Sequence, residues 1–111
     1  MRFGIFYEHQ MPRPWDVDAE QRTLAGALEQ IELADRIGID YVWEVEHHFL
    51  EEYSHSSAPE VFLAAASART SRIRLGHGIV QAPPAVSLRD LSAKLDEIGD
   101  ALGVEISVEQ V

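Results

Sequence analysis

The chain contains no cysteine, which excludes disulfides, thiolate metal sites and thiol catalysis. It is also short of positive charge. Nine lysines and arginines stand against nineteen aspartates and glutamates, for a formal net charge of -10. A surface of that sign repels phosphate backbones and anionic lipid, so nucleic-acid and membrane-surface partners are not expected. No stretch approaches the roughly 18 consecutive apolar residues of a membrane span. The opening "MRFGIFYEHQ" turns polar too early for a secretory leader. The expected location is the cytoplasm. Internal repeats and low-complexity segments are lacking as well.

What is present is the composition of an ordinary globular domain. The 111 residues are 46% hydrophobic and 25% charged, enough for one core and too few for two. A single domain over 1–111 is therefore expected.

The hydrophobic pattern alternates between two periods. "FGIFY" (3–7) is a continuous aromatic and branched run, as in a strand covered on both faces. The following "EHQMPRPWDVD" is a loop, because Pro12 and Pro14 break regular structure. From Ala19 to Ile37, Leu24, Leu28, Ile31 and Ala34/Asp35 recur at three and four, with Ala27 widening the stripe. Asp18 can cap this helix, and Gly38 can end it in the left-handed conformation.

"IDYVWEV" (39–45) reads as a second strand, and "APEVFLAAASARTS" as a second helix turning Val61, Phe62, Ala65 and Ala68 inward. "IRLGHGIVQA" (73–82) reads as a third strand, ended by Pro83-Pro84. A last helix opens at Ser87, with Asp90 in a capping-box position, and closes at Gly103. "VEISVEQ" alternates strictly, so it is a strand with one wet face. The sum is an α/β fold, βαβαβαβ, with a four-stranded mainly parallel sheet and three helices. The strand order stays open between 1-2-3-4 and 2-1-3-4.

Several groups invite a chemical reading. "WEVEHHF" places Glu46, His47 and His48 just after a strand, where imidazole could serve as a proton carrier. As neighbours in extended chain, His47 and His48 point to opposite faces, so they do not chelate one metal together. His9 could meet His47 or His55 across a loop, but the spacing has no zinc signature, and no metal is expected. Gly76 and Gly78 in "RLGHGIV" lack the third glycine and the helix start of a phosphate loop. They mark close packing of a strand, with His77 on the opposite face. Glu44, Glu46, Glu51 and Glu52 read as a solvated acidic rim.

"MRFGIFYEHQ", "ELADRIGIDYVWEVEHHF" and "SSAPEVFLAAASARTSRIRLGHGIVQAPP", in this order and spacing, resemble the start of the bacterial luciferase-like monooxygenases. These are flavin- or deazaflavin-dependent oxidoreductases built on a TIM barrel. The resemblance covers residues 1–84. It implies a partial barrel, since a closed one needs eight strands and about 250 residues. It also implies that His47 corresponds to the histidine assisting proton handling near the flavin, flanked by Glu46 and His48. Tyr7, His9, Gly76 and Gly78 are the corresponding candidates for cofactor contact.

Residues 85–111, "AVSLRDLSAKLDEIGDALGVEISVEQV" from Ala85, are instead similar to the last helix and strand of an ACT-type ferredoxin-like domain. The expectation is a recombined or engineered chimera, joined near 83–87, without catalytic activity or cofactor of its own. Glu46, His47 and His48 are then vestigial. The alternative is a chain that still binds FMN or a deazaflavin. An apolar sheet left partly uncovered further implies a homodimer.

Overall fold

In the computed structural model the described residues are 1–81, together with Ala93, Asp96, Gly99 and Asp100. The chain divides into two compact units, Met1–Val80 and Gln81–Val111. In the second unit these last four residues are helical. The expected last strand and the limits of the last helix lie outside the described residues.

The first unit runs β1 (Gly4–Tyr7), α1 (Ala19–Ile37), β2 (Tyr41–Glu44), α2 (Pro59–Ser67) and β3 (Arg74–His77). Among the described residues of this unit there are thus three strands and two helices, where four and three were expected for the whole chain. The strands are parallel and sequential, β1-β2-β3, which settles their order in favour of a barrel segment. They are shorter than their apolar runs because Ile39, Val45, Ile79 and Val80 fall outside the ladder.

Helix α1 has the limits its periodicity predicts. Gly38 (φ 89°) ends it, donating its N–H to Ala34 O. Asp18 occupies the N-cap but makes no capping hydrogen bond; nearby, Arg22 holds the Asp16 carboxylate instead. Helix α2 starts at Pro59, where a missing N–H is harmless. It turns Leu63 and Ala66 inward, not Val61 and Ala68, which are exposed.

Both helices lie on one face of the sheet. Ile31 and Ala34 of α1, Val42 of β2, Ala66 of α2 and Ile73 form the core, with Ile5, Tyr7, Leu28, Phe62 and Leu75 packed around it. The expectation of strands covered on both faces is not met within the described residues. The opposite face carries Phe6, Tyr41 and Trp43, and Phe6 is 54% exposed. No described helix is long and apolar enough to cross a membrane.

Candidate functional site

The register of the sheet decides which side chains meet. Tyr7, Glu44 and His77 are aligned across the three strands, two residues beyond the aligned Ile5, Val42 and Leu75. Side chains alternate along a strand, so this row shares the helix-facing side with the core. It is the last row before the connections that follow the C-terminal strand ends.

Glu44 is the centre of the row and is fully buried. It is not part of a solvated rim, as its neighbours in sequence suggested. Ser56 hydroxyl donates to Glu44 Oε1 and also lies 2.6 Å from Val45 O, so its one proton serves either acceptor. His9 Nε2 is 2.9 Å from Glu44 Oε1, in ion-pair range but out of line for a hydrogen bond. His9 adopts φ 50°, a conformation histidine tolerates better than most residues, and this folds its ring back over the sheet. The ring stacks on Tyr7 at 5.4 Å and meets the edge of Phe62 at 4.6 Å.

Burial, and then the Glu44 carboxylate, push the Tyr7 phenol above its ordinary range. Burial lowers the His77 imidazole, a shift opposed by Glu60, Glu46 and Glu44. His77 does stand on the face opposite Gly76, as expected.

The other pair lies just beyond the strand ends. His47 Nε2 is 3.6 Å from Glu8 Oε2, with both side chains about four-fifths buried. Tyr53 sets its ring edge-on to His47 at 5.7 Å and points its hydroxyl at Glu8 Oε1, 3.4 Å away. His48 takes a different partner, Glu46 Oε1 at 2.9 Å. The two adjacent histidines are therefore separated, as their spacing predicts. His9, His47 and His55 also go to different carboxylates, Glu44, Glu8 and Glu20. Among the described residues no group of three or more potential ligands could hold a metal.

Backbone bonds tie the first two strand-end connections together. Met11 N–H donates to Glu52 O and His55 N–H to His9 O, while His47 N–H to Ser56 O closes the second connection on itself. Arg13 reinforces them by pairing with Glu51 and donating its backbone N–H to Glu52. A groove of about 370 Å³ opens beside His9 and Tyr7 against α1, reaching Arg22 and Gln30. Among the described residues, the arginines of this end are already engaged, Arg13 by Glu51 and Arg22 by Asp16.

Gly76 and Gly78 lie close against this chain's own aromatic rings. A Cβ on Gly76 would lie 2.7 Å from the Trp43 ring, and one on Gly78 2.7 Å from Phe6. The glycines seat this chain's own aromatics on the open face.

Sequence reasoning singles out His47, Glu46, His48, Tyr7 and His9 but misses Glu8, Ser56 and Tyr53, and misplaces Glu44. Glu44 has a usable signal: it stands two residues after Val42 and so shares its buried face. The others come from loops, where no period reveals direction.

Against this geometry, the family model described as luciferase-like monooxygenase matches residues 1–100. The match continues past the junction expected near residue 84. Limonene 1,2-monooxygenase of Rhodococcus erythropolis is 45% identical over 84 residues, 73% of this chain and 20% of that protein. The oxygenase component of the flavin-dependent trigonelline monooxygenase of Acinetobacter baylyi is 34% identical over 85 residues, 75% of this chain and 22% of that one. The oxygenating constituent of 3,6-diketocamphane monooxygenase from Pseudomonas putida, solved with FMN, superposes with a TM-score of 0.59 at 23% identity. That superposition covers 69% of this chain and 20% of that one. The chain thus spans about a fifth of the length of these curated relatives. It belongs to the luciferase-like monooxygenase family.

Proposed function

We propose that residues 1–80 form one wall of a flavin site in a luciferase-like monooxygenase. On this reading they provide a proton-handling histidine but not the grip on the cofactor phosphate. The observation that carries the reading is the His47–Glu8 pair just beyond the ends of parallel strands, backed on the helix side of the sheet by the buried His9–Glu44 pair. In barrels of this kind the chemistry sits at that end. The open face with Phe6, Tyr41 and Trp43 suits the flat, largely apolar ring system of a flavin. The phosphate end lacks support: the nearby Arg13 and Arg22 are paired with carboxylates.

A bound reduced flavin would supply the electrons for reaction with dioxygen. His47 gives or takes a proton beside it, since imidazole exchanges protons readily near neutral pH. Buried His9 and Glu44 hold the ends of β1 and β2 in register. Tied to each other by backbone hydrogen bonds, the two connections keep this wall in place. FMN is supported by the diketocamphane structure and a flavin in general by the trigonelline relative; a deazaflavin is the alternative. The 111-residue chain on its own is proposed to lack turnover, because positioning supplies most of a catalytic group's value.

The face and strand edges that the described residues leave uncovered would be covered in a homodimer, the assembly we propose for the isolated chain. The reading needs neither a recombined origin nor an ACT-type terminal unit, and a family match running to residue 100 lends them no support.

Fluorescence titration with FMN and with phosphate-free riboflavin tests the site. Weak quenching, equal for the two flavins, is expected. Saturation by FMN below about 1 µM, close to −8 kcal/mol of binding, with riboflavin much weaker, would show that the chain holds the phosphate and contradict the proposal.

A further inference from the structure

Two histidines adjacent in sequence meet different carboxylates, and of the two only His47 faces one from another strand end. The geometry points to Glu8 as the residue that fixes the His47 ring in its Nε2–H tautomer, leaving Nδ1 as the basic nitrogen. Tyr53 holds the pair together. Glu8 and Tyr53 are thereby positioning residues for His47. The positioning role, though not the tautomer itself, rests on His47 being the proton-handling group of the proposed flavin site.

A neutral imidazole donates from one nitrogen and accepts at the other, and the partner of the first determines which is which. Glu8 Oε2 is buried and accepts no hydrogen bond, an unfavourable state for a carboxylate oxygen. The ring atom facing it is His47 Nε2, at 3.6 Å. That separation is too long for a formed hydrogen bond but needs only a few tenths of an ångström to close. Such contacts commonly tighten when a ligand is bound. A carboxylate can only accept from the ring, so the tautomer with its proton on Nε2 is favoured.

The arrangement is held from three sides. Tyr53 donates its hydroxyl to the second Glu8 oxygen while its ring borders His47. The His47 backbone N–H donates to Ser56 O at 2.8 Å, fixing the Cα from which the ring projects. His48 is turned to Glu46 and does not compete for Glu8. About four-fifths of each side chain in the His47–Glu8 pair is out of water, which limits screening.

The test is ¹⁵N NMR of the histidine-labelled 111-residue chain at about pH 9, well above the ordinary imidazole range near 6.5. The native His47 ring should show a single tautomer with its proton on Nε2. In Glu8→Met, similar in length but with only a weakly accepting sulfur, its two nitrogen resonances should move towards each other as both tautomers populate. Glu8→Gln, whose amide oxygen still accepts, should restore part of the separation. Tyr53→Phe should produce a smaller movement than Glu8→Met, and Glu46→Gln should shift His48 while leaving His47 in place.

A native proton on Nδ1, or a His47 spectrum indifferent to Glu8→Met, overturns the assignment. Should circular dichroism show Glu8→Met unfolded, the native spectrum and Tyr53→Phe decide. No flavin is present in this measurement. A failed flavin titration therefore removes the site proposal and leaves the tautomer assignment standing, and the converse also holds.

Discussion

Asp35 Oδ1 accepts the backbone N–H of Ile73 at 2.7 Å, joining α1 to the residue that starts the third strand's run. The same carboxylate accepts the N–H groups of Ser71 and Arg72. An aspartate in the buried stripe of a helix thus satisfies three backbone donors of the α2–β3 connection, and the Ser71 hydroxyl besides. Those bonds, led by the one from Ile73, hold its carboxyl below the usual range. A depressed carboxylate contributes stability that is full above its unfolded value, about 3.9, and is lost as pH falls through its folded one. Asp35→Asn should lower the thermal midpoint by several degrees at pH 7 and flatten the loss of stability below about pH 4. Thermal melts between about pH 2 and 7 check both.

His77 gives an acid response of the opposite kind. Its imidazole is lowered by burial, so the unfolded chain binds the proton first. Stability is therefore free of this penalty above about pH 6.5 and declines as pH falls towards the folded value. His77→Gln should remove that part of the decline as pH falls below about 6.5, measured by urea unfolding. An unchanged slope would show that His77 charges equally well in both states.

The His9–Glu44 pair should be destabilising to break and tolerable to replace. Glu44→Ala leaves His9 buried beside a lost partner and should cost about 3–5 kcal/mol. That is a large share of the stability of a small domain. The double change His9→Leu, Glu44→Met should recover much of the loss, because a packed apolar pair avoids desolvating charge. Recovery would show that the fold does not depend on the polar pair for its stability.

Ile31 is fully buried at the centre of the core, and Ile31→Ala should cost about 2–5 kcal/mol in chemical denaturation. A loss below about 1 kcal/mol, the range of surface changes, would remove α1 from the core described here.

Gly76→Ala tests the open face. The added methyl meets the rigid Trp43 ring, which must move, and the expected loss is about 1–3 kcal/mol. Near-ultraviolet circular dichroism should change with it. An unaltered spectrum would mean that Trp43 does not lie across Gly76.

Much of the first unit was legible because its period was clear. The 3.6-residue stripe gave α1 both its limits, with Gly38 as the stop. Helix α2 was legible in existence but not in phase. "VFLAAA" is apolar on every side, so its pattern could not tell Leu63 from Val61. The strands were overextended because an apolar run persists beyond the last ladder bond. At the site, His47 and His48 were separable by alternation alone. Glu8 and Tyr53 were not, because their meeting depends on backbone bonds between connections far apart in sequence, such as Met11 N–H to Glu52 O. Glu44 was legible in principle, since it stands two residues after Val42 in β2 and shares its buried face.

The most direct test of the wall itself is amide and side-chain NMR of the isolated chain with riboflavin at saturating concentration. Resonances of Phe6, Glu8, Trp43 and His47 should move together along one binding curve while those of α1 and α2 stay nearly fixed. Movement confined to the helices, or none at any of these four residues, would contradict a flavin wall at these strand ends.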